Sequence, residues 1–308
     1  MMMWFFLFLA TVITTPMMIE LTRQRMGLKA RAEATGQFAQ LSQGVTHYEW
    51  FGPPRGSIVV CVHGLTTPSF VWGNLSKGLA LMGYRVLTYD LYGRGYSDRP
   101  SGLQNREFFL RQLDDLLAHE NVQGKFSIVG YSMGGAIVTL FTAAHPDRIQ
   151  QMILLAPAGM GAVAGKIGNF IGKTPVVGDW LMLAFYPMQL RKGIAAERAL
   201  PTAIPEICDL QENELRFRGF VPAVLSSLRG LLGNTLQQEH EVIHRAGVPV
   251  LSIWGHDDDV IPLTAVGTLA QWSPDAVQEV VDGAGHGLTY THTDEVLATI
   301  RATIADQA

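Results

Sequence analysis

The stretch SIVGYSMGGAIVTLF, Ser127 to Phe141, passes from an apolar, β-branched run straight into an apolar helical pattern, with one serine, Ser132, at the junction. Few backbones accommodate that. A strand that becomes a helix within about one residue forces that residue into a strained conformation, so its neighbours must be small, as Gly130 and Gly134 are. GYSMG therefore fits G-x-S-x-G, the pattern of a serine nucleophile carried on a sharp strand-to-helix turn. The competing role for Ser132 is that of an N-cap for the helix behind it. The rest of the chain decides between the two by whether it supplies a base and an acid.

Six other runs resemble the strand before Ser132: THYEWFG, SIVVCVHG, YRVLTYDLYG, MILLAPAG, VPVLSIWG and VQEVVDGAGHG. Helical patterns such as VWGNLSKGLALMG and NREFFLRQLDDLLAHE alternate with them. Continuous apolar strands separated by helices predict an α/β fold, with a mostly parallel central sheet buried on both faces and flanked by helices. The rhythm breaks once, between Gly159 and Gly247, where helical and Gly/Pro-punctuated segments replace the strands. That interval reads as an insertion.

The N-terminus follows other rules. Met1 to Ile19, MMMWFFLFLATVITTPMMI, carries no charged side chain, and a helix needs about 20 apolar residues to cross a bilayer. Residues 1–21 are expected to form a transmembrane or membrane-anchor helix, and 22–44 a connector. A cleaved signal peptide, a buried core helix and a helix lying in the interface are the alternatives. The basic residues follow the apolar run, the reverse of a signal peptide. Arg23, Arg25, Lys29 and Arg31 would place themselves and the domain behind them on the cytoplasmic side. Thr11, Thr14, Thr15 and Pro16 count against a span.

A formal net charge of −4, without a long basic run, offers no electrostatic footprint for nucleic acid. Two cysteines, Cys61 and Cys208, are too few for a disulfide scaffold, and no cluster has metal-ligand spacing. Neither a metal nor a cofactor is expected.

A serine hydroxyl needs a base, and the base an acid. VDGAGHGLTY supplies His286 in a small-residue loop after the last strand; His292, at the start of the terminal helical pattern, is the weaker candidate. LSIWGHDDDVIP ends a strand with Asp257, Asp258 and Asp259, among which local sequence does not choose. The tetrahedral oxyanion needs backbone N–H donors, one from the residue after the nucleophile and one from the loop after an early strand. That nominates Met133 and Leu65, the latter in CVHGLTTPSF. His63 in the same loop reads as a local hydrogen-bonding group, not a second base.

With these residues assembled, residues 45–308 resemble the α/β-hydrolase fold, in its branch of esterases and monoacylglycerol lipases. The resemblance rests on VHGLTTPSFVW, YDLYGRGYSDRP, the GYSMGG elbow, WGHDDDVIP as a WGxxDxxxP turn, and a terminal GxGH turn. It selects Asp258 as the acid and makes 160–248 a helical cap between the core segments 45–159 and 249–308. It implies a serine carboxylic-ester hydrolase that acts on lipophilic monoesters through Ser132, His286 and Asp258. HGLTTP departs from the glutamate-containing loop of the soluble monoacylglycerol lipases, which also lack the anchor. Carbon–carbon bond hydrolases of vinylogous diketones share the strand ends but usually need polar cap residues to hold a substrate carboxylate, a part that Arg191, Lys192 and Arg216 could serve. A membrane-tethered binding protein without catalysis is the third reading.

Overall fold

The computed structural model describes residues 1–161 and 165–305. Eight strands form one sheet: β1 (Gln37–Leu41), β2 (Gly44–Phe51), β3 (Ile58–Val62), β4 (Arg85–Tyr89), β5 (Phe126–Tyr131), β6 (Ile149–Leu155), β7 (Val250–Gly255) and β8 (Val277–Val281). Their order is β1-β2-β4-β3-β5-β6-β7-β8. β1 and β2 run antiparallel at one edge, and β3 to β8 pair in parallel. Seven strands match the sequence pattern. β1 lies inside the segment expected to be a connector, which also holds the short helix Leu28–Arg31.

The continuous apolar strands arise because alternate side chains serve opposite faces. Val60, Val62, Leu87 and Ile128 join one core with Phe109, Leu113 and Phe141 of the helices Arg106–His119 and Met133–Ala144. Val59, Cys61, Val86 and Val129 join the other with Trp72, Leu75, Val296 and Ile300. Asn105 caps the helix Arg106–His119, its side chain accepting from the Phe108 N–H at 3.1 Å, as a good N-cap residue does.

Between β6 and β7 the chain builds the helices Lys166–Lys173, Val177–Glu197, Ile207–Asn213, Phe220–Arg229 and Gln237–Arg245. These helices have a core of their own, with Met182, Leu215, Phe220, Val224 and Leu225 buried together, and Leu231, Leu236 and Ile243 tie the end of the insertion to the main core.

The N-terminal helix Met2–Thr22 has a mean hydropathy of 1.9 and is 6% buried over its most apolar window, long and apolar enough to cross a membrane. Its threonines are less of an obstacle than their polarity suggests. Thr11, Thr14 and Thr15 donate their hydroxyls to the carbonyls of Leu7, Ala10 and Thr11 at 2.7–2.9 Å, so none needs a partner from outside the helix. The helix is fastened to the insertion. Trp180 Nε1 donates to the Ile13 carbonyl at 3.1 Å, the Gly219 N–H donates to Glu20 Oε1 at 2.6 Å, and Gln24 exchanges backbone bonds with Arg216 and Arg218 at 3.0 and 2.8 Å.

One buried group opposes this packing. Neither ring nitrogen of His240, fully buried beside Trp272, finds a partner among the described residues, and burial lowers its pKa to about 4. The folded value lies below the ordinary 6.5, so the unfolded chain takes the proton first and stability falls as pH drops from about 6.5 to about 4, by on the order of 3 kcal/mol over the window. His240→Leu removes the unpaired ring. Its thermal unfolding temperature is expected to equal or exceed that of wild type at pH 7.5, with an advantage that widens steadily towards pH 4.5; a constant difference across that range would refute the assignment.

Candidate active site

The site forms where β3, β5, β6 and β7 end. Ser132 closes β5 with φ +53° and ψ −118°, a region that costs a non-glycine residue of order 1–3 kcal/mol. Its backbone is held on both sides: its N–H donates to Leu155 O, and its carbonyl accepts from Gly135 and Ala158, all at 2.9 Å. The two flanking glycines are required by close approach. A Cβ on Gly134 would lie 1.9 Å from the Val62 carbonyl oxygen, and one on Gly130 would lie 2.5 Å from the Gly134 oxygen. Ser132 makes no side-chain cap bond to its helix, so the capping role has no support. Its hydroxyl points elsewhere.

Ser132 Oγ lies 2.9 Å from His286 Nε2, and His286 Nδ1 lies 2.8 Å from Asp258 Oδ2. These partners assign the imidazole: Nδ1–H donates to the carboxylate, and Nε2 is free to accept from the hydroxyl. Of the three aspartates, geometry selects one. Asp258 Oδ1 accepts from the Val260 and Ile261 N–H groups at 2.8 Å each, and its side chain is 1% exposed. Asp257 instead pairs with exposed His256. The His286 backbone is also fixed, because Tyr131 donates its hydroxyl to the His286 carbonyl at 3.0 Å. His292 is engaged with Thr291 at 3.0 Å, not with Ser132.

Leu65 and Met133 flank the serine from the β3 loop and the first turn of the elbow helix. Neither backbone N–H has a protein acceptor among the described residues, which leaves both for a ligand oxygen. His63 Nδ1–H donates to Gly64 O, and its Nε2 accepts from the Leu91 N–H, both at 2.8 Å. Burial lowers its pKa to about 4, so this ring is a neutral brace for the loop.

Sequence reasoning missed the main support of that loop. Arg94, in the GRG of YDLYGRGYSDRP, is 0% exposed. Its Nε donates to the Leu65 carbonyl at 3.0 Å, Nη1 to Tyr92 O and Gln104 Oε1, and Nη2 to Ala223 O at 3.3 Å and Ser227 Oγ at 2.8 Å. It thereby ties the Leu65 loop to the inserted helix Phe220–Arg229. Burial lowers its pKa to about 9, still cationic at neutral pH. Asp90 braces the same region, accepting from the Ser69 and Tyr96 N–H groups and from His47 Nδ1 at 2.7–2.9 Å. Burial alone would raise its pKa, but the bond and charge of His47 outweigh it and hold the carboxyl well below the usual range.

A cavity of about 920 Å³ opens over Ser132 and His286, lined on its apolar side by Leu65, Leu190 and Ile194. Its charged lining is one-sided: Glu197, Asp257, Asp259 and Glu295 reach it, and no lysine or arginine among the described residues does. Arg191 is spent on Glu212 at 3.0 Å and Arg216 on Asn213 at 3.0 Å, both at exposed positions; Lys192 is exposed and outside the lining. Among the described residues, no group of three His, Cys, Asp or Glu side chains is arranged to hold a metal ion.

The profile of the alpha/beta hydrolase fold family matches residues 57–293. The chain is similar to a putative non-heme chloroperoxidase from Synechocystis sp., 27% identical over 255 residues that cover 81% of this chain and 91% of the relative. It is similar to a 2-hydroxymuconate semialdehyde hydrolase from Pseudomonas putida, 26% identical over 244 residues covering 72% and 77%. Among solved structures, a bacterial membrane phospholipase A superposes with a TM-score of 0.72 at 18% identity, covering 99% of this chain and 96% of that one.

Arg94 and Ser227 lie outside the cavity lining, so removing them tests positioning alone. Arg94→Met is expected to lower kcat of hydrolysis by about 10- to 100-fold with KM nearly constant, and Ser227→Ala to lower it severalfold with the same split. Equal changes in kcat and KM, or loss confined to thermal stability, would show that Arg94 acts on the fold and not on the loop.

Proposed function

This chain belongs to the alpha/beta hydrolase fold family, and from that premise we propose that it is a serine carboxylic-ester hydrolase of lipophilic monoesters, esterase- or monoacylglycerol-lipase-like. Ser132 attacks the ester carbonyl while His286 Nε2 takes its proton, and Asp258 stabilises the imidazolium that forms. The N–H groups of Leu65 and Met133 receive the oxyanion, each such donor being worth about 3 kcal/mol of barrier. His286 returns the proton to the leaving alcohol, and water then releases the acid from Ser132 by the same steps. None of these steps calls on a cofactor. The inserted helices, residues 160–248, serve as the cap over the acyl group.

The observation that carries the reading is the charge of the cavity: among the described residues, four carboxylates and no lysine or arginine surround the space above Ser132. A neutral ester enters such a space without penalty. A carboxylate-bearing substrate of carbon–carbon cleavage meets repulsion and no partner, because a buried charge needs a counter-charge. That second reading keeps one specific support, the similarity to a semialdehyde hydrolase. The N-terminal helix supplies the membrane setting in which lipid monoesters are at hand, with the catalytic domain on the cytoplasmic side.

The test is hydrolysis of p-nitrophenyl esters from about two to sixteen carbons by wild type and Ser132→Ala, with a neutral diester and its dicarboxylic hemiester compared at one chain length. Wild type is expected to peak at a definite chain length and to favour the neutral ester by about tenfold or more, and Ser132→Ala to lose on the order of 10⁵-fold in kcat. A folded protein that turns over no ester but cleaves a vinylogous diketone acid would transfer the assignment to carbon–carbon hydrolysis. Failure of a fluorophosphonate to label Ser132 as well would leave a binding protein.

A further inference from the structure

A second cavity, of about 440 Å³, lies where the N-terminal helix joins the insertion, and Arg25, Arg99, Arg218, Gln43 and Asp98 line it. We propose that it is a binding site for a phosphate group, such as that of an anionic lipid headgroup. None of its residues lines the cavity above Ser132, so the inference is independent of the ester reading.

The charges of this cavity are unbalanced in a specific way. The Arg99 side chain is 9% exposed. Its Nη1 donates to the Ser97 carbonyl, but Nε and Nη2 are buried with no hydrogen-bond partner. Closed off from solvent, these two donors do not meet a ligand directly; Arg99 supplies a fixed positive charge beside Arg25 and Arg218, the guanidiniums from which a phosphate would take charge-assisted hydrogen bonds. The nearest carboxylate, Glu214, stands 3.7 Å from Nη2, accepts from the Gly95 N–H at 3.0 Å, and is raised by burial to about 7, which weakens it as a counter-ion. Asp98 is already engaged, by Arg31 Nη2 at 2.6 Å and the Val45 N–H at 2.7 Å. Glu20, close by, is shared between Arg23 and the Gly219 N–H, each at 2.6 Å. Arg25 and Arg218 have no carboxylate within 4.0 Å among the described residues.

The position fits a lipid. Arg25 follows closely on the helix Met2–Thr22, so a bilayer that held this helix would bring its headgroups to the level of the cavity, where clustered arginines attract anionic lipids.

The full chain in dodecyl maltoside, free of phosphate, is titrated calorimetrically with inorganic phosphate and with dihexanoyl phosphatidic acid, and then studied in nanodiscs of phosphatidylcholine with and without phosphatidic acid. One-to-one binding is expected, weakened on the order of tenfold or more in Arg25→Gln/Arg218→Gln and largely kept in Arg25→Lys/Arg218→Lys, with p-nitrophenyl butyrate hydrolysis unchanged in both. A higher unfolding temperature in phosphatidic acid nanodiscs, lost in the glutamine variant, assigns the phosphate to a lipid headgroup. Binding of inorganic phosphate that anionic nanodiscs neither mimic nor displace assigns it to a soluble ion. No binding of either ligand, or equal affinity in the glutamine variant, overturns the proposal.

Discussion

The contact between the elbow helix and β3 sets the rest of the site. With only 1.9 Å between the place of a Cβ on Gly134 and the Val62 carbonyl oxygen, the helix Met133–Ala144 sits against the end of β3 at a distance no other residue permits. That closeness has two consequences. Ser132 is driven to φ +53°, which lifts its hydroxyl out of the sheet, and the loop after β3 is drawn beside it, so that a Cβ on Gly64 would stand 3.3 Å from the Ser132 Cβ. Ser132 and the loop that carries Leu65 are thus positioned by one packing constraint, and the backbone bonds of Ser132 to Leu155, Gly135 and Ala158 hold the strain in place.

What could be read from sequence follows how locally each feature is encoded. The elbow, the last loop and the acid turn each sit within a dozen residues, with the functional side chain at the end of a strand, where an α/β sheet collects its chemistry. Ser132, His286 and the aspartate cluster are visible in the local sequence, the family resemblance picks Asp258 from the cluster, and in the structure Asp258 is held by two backbone N–H bonds. β1, QFAQL, stayed hidden because an edge strand with a mostly exposed pattern lacks the apolar run that marks the inner ones. Arg94 stayed hidden for the opposite reason. Its polar partners at Leu65, Ala223 and Ser227 lie 29, 129 and 133 residues away, so an arginine between two glycines reads as a loop charge until the fold surrounds it.

The two cavities divide the molecule's charge. Carboxylates gather around the one above Ser132 and arginines around the one at the foot of the N-terminal helix. In the proposed membrane setting this division would have a physical use: the arginines would face anionic headgroups, and the acidic space would admit a neutral substrate more readily than an anionic one. The same setting accounts for exposed Phe170, Val176, Val177, Phe185 and Met188 on the inserted helices, apolar surface of the kind that marks a membrane or protein contact. Trp180, on the helix that carries three of them, bonds directly to the Ile13 carbonyl.

Arg94 connects these parts energetically. A buried guanidinium costs several kcal/mol unless its donors are satisfied, and here all of its partners are neutral: three carbonyls from the Leu65 loop, Tyr92 and Ala223, and the side chains of Gln104 and Ser227. A hydrophobic residue of similar volume would fold as well or better, so stability alone does not explain the arginine. Its place does. A fixed cation beside the Leu65 peptide polarises the loop whose N–H, in the proposed mechanism, meets a developing negative charge, and in a low-dielectric site such preorganised charge acts without reorganisation during the reaction. Because two of its partners belong to the helix Phe220–Arg229, and the Gly219 N–H at the head of that helix is held by Glu20, the seating of the N-terminal helix, the insertion and the oxyanion loop are joined through one side chain.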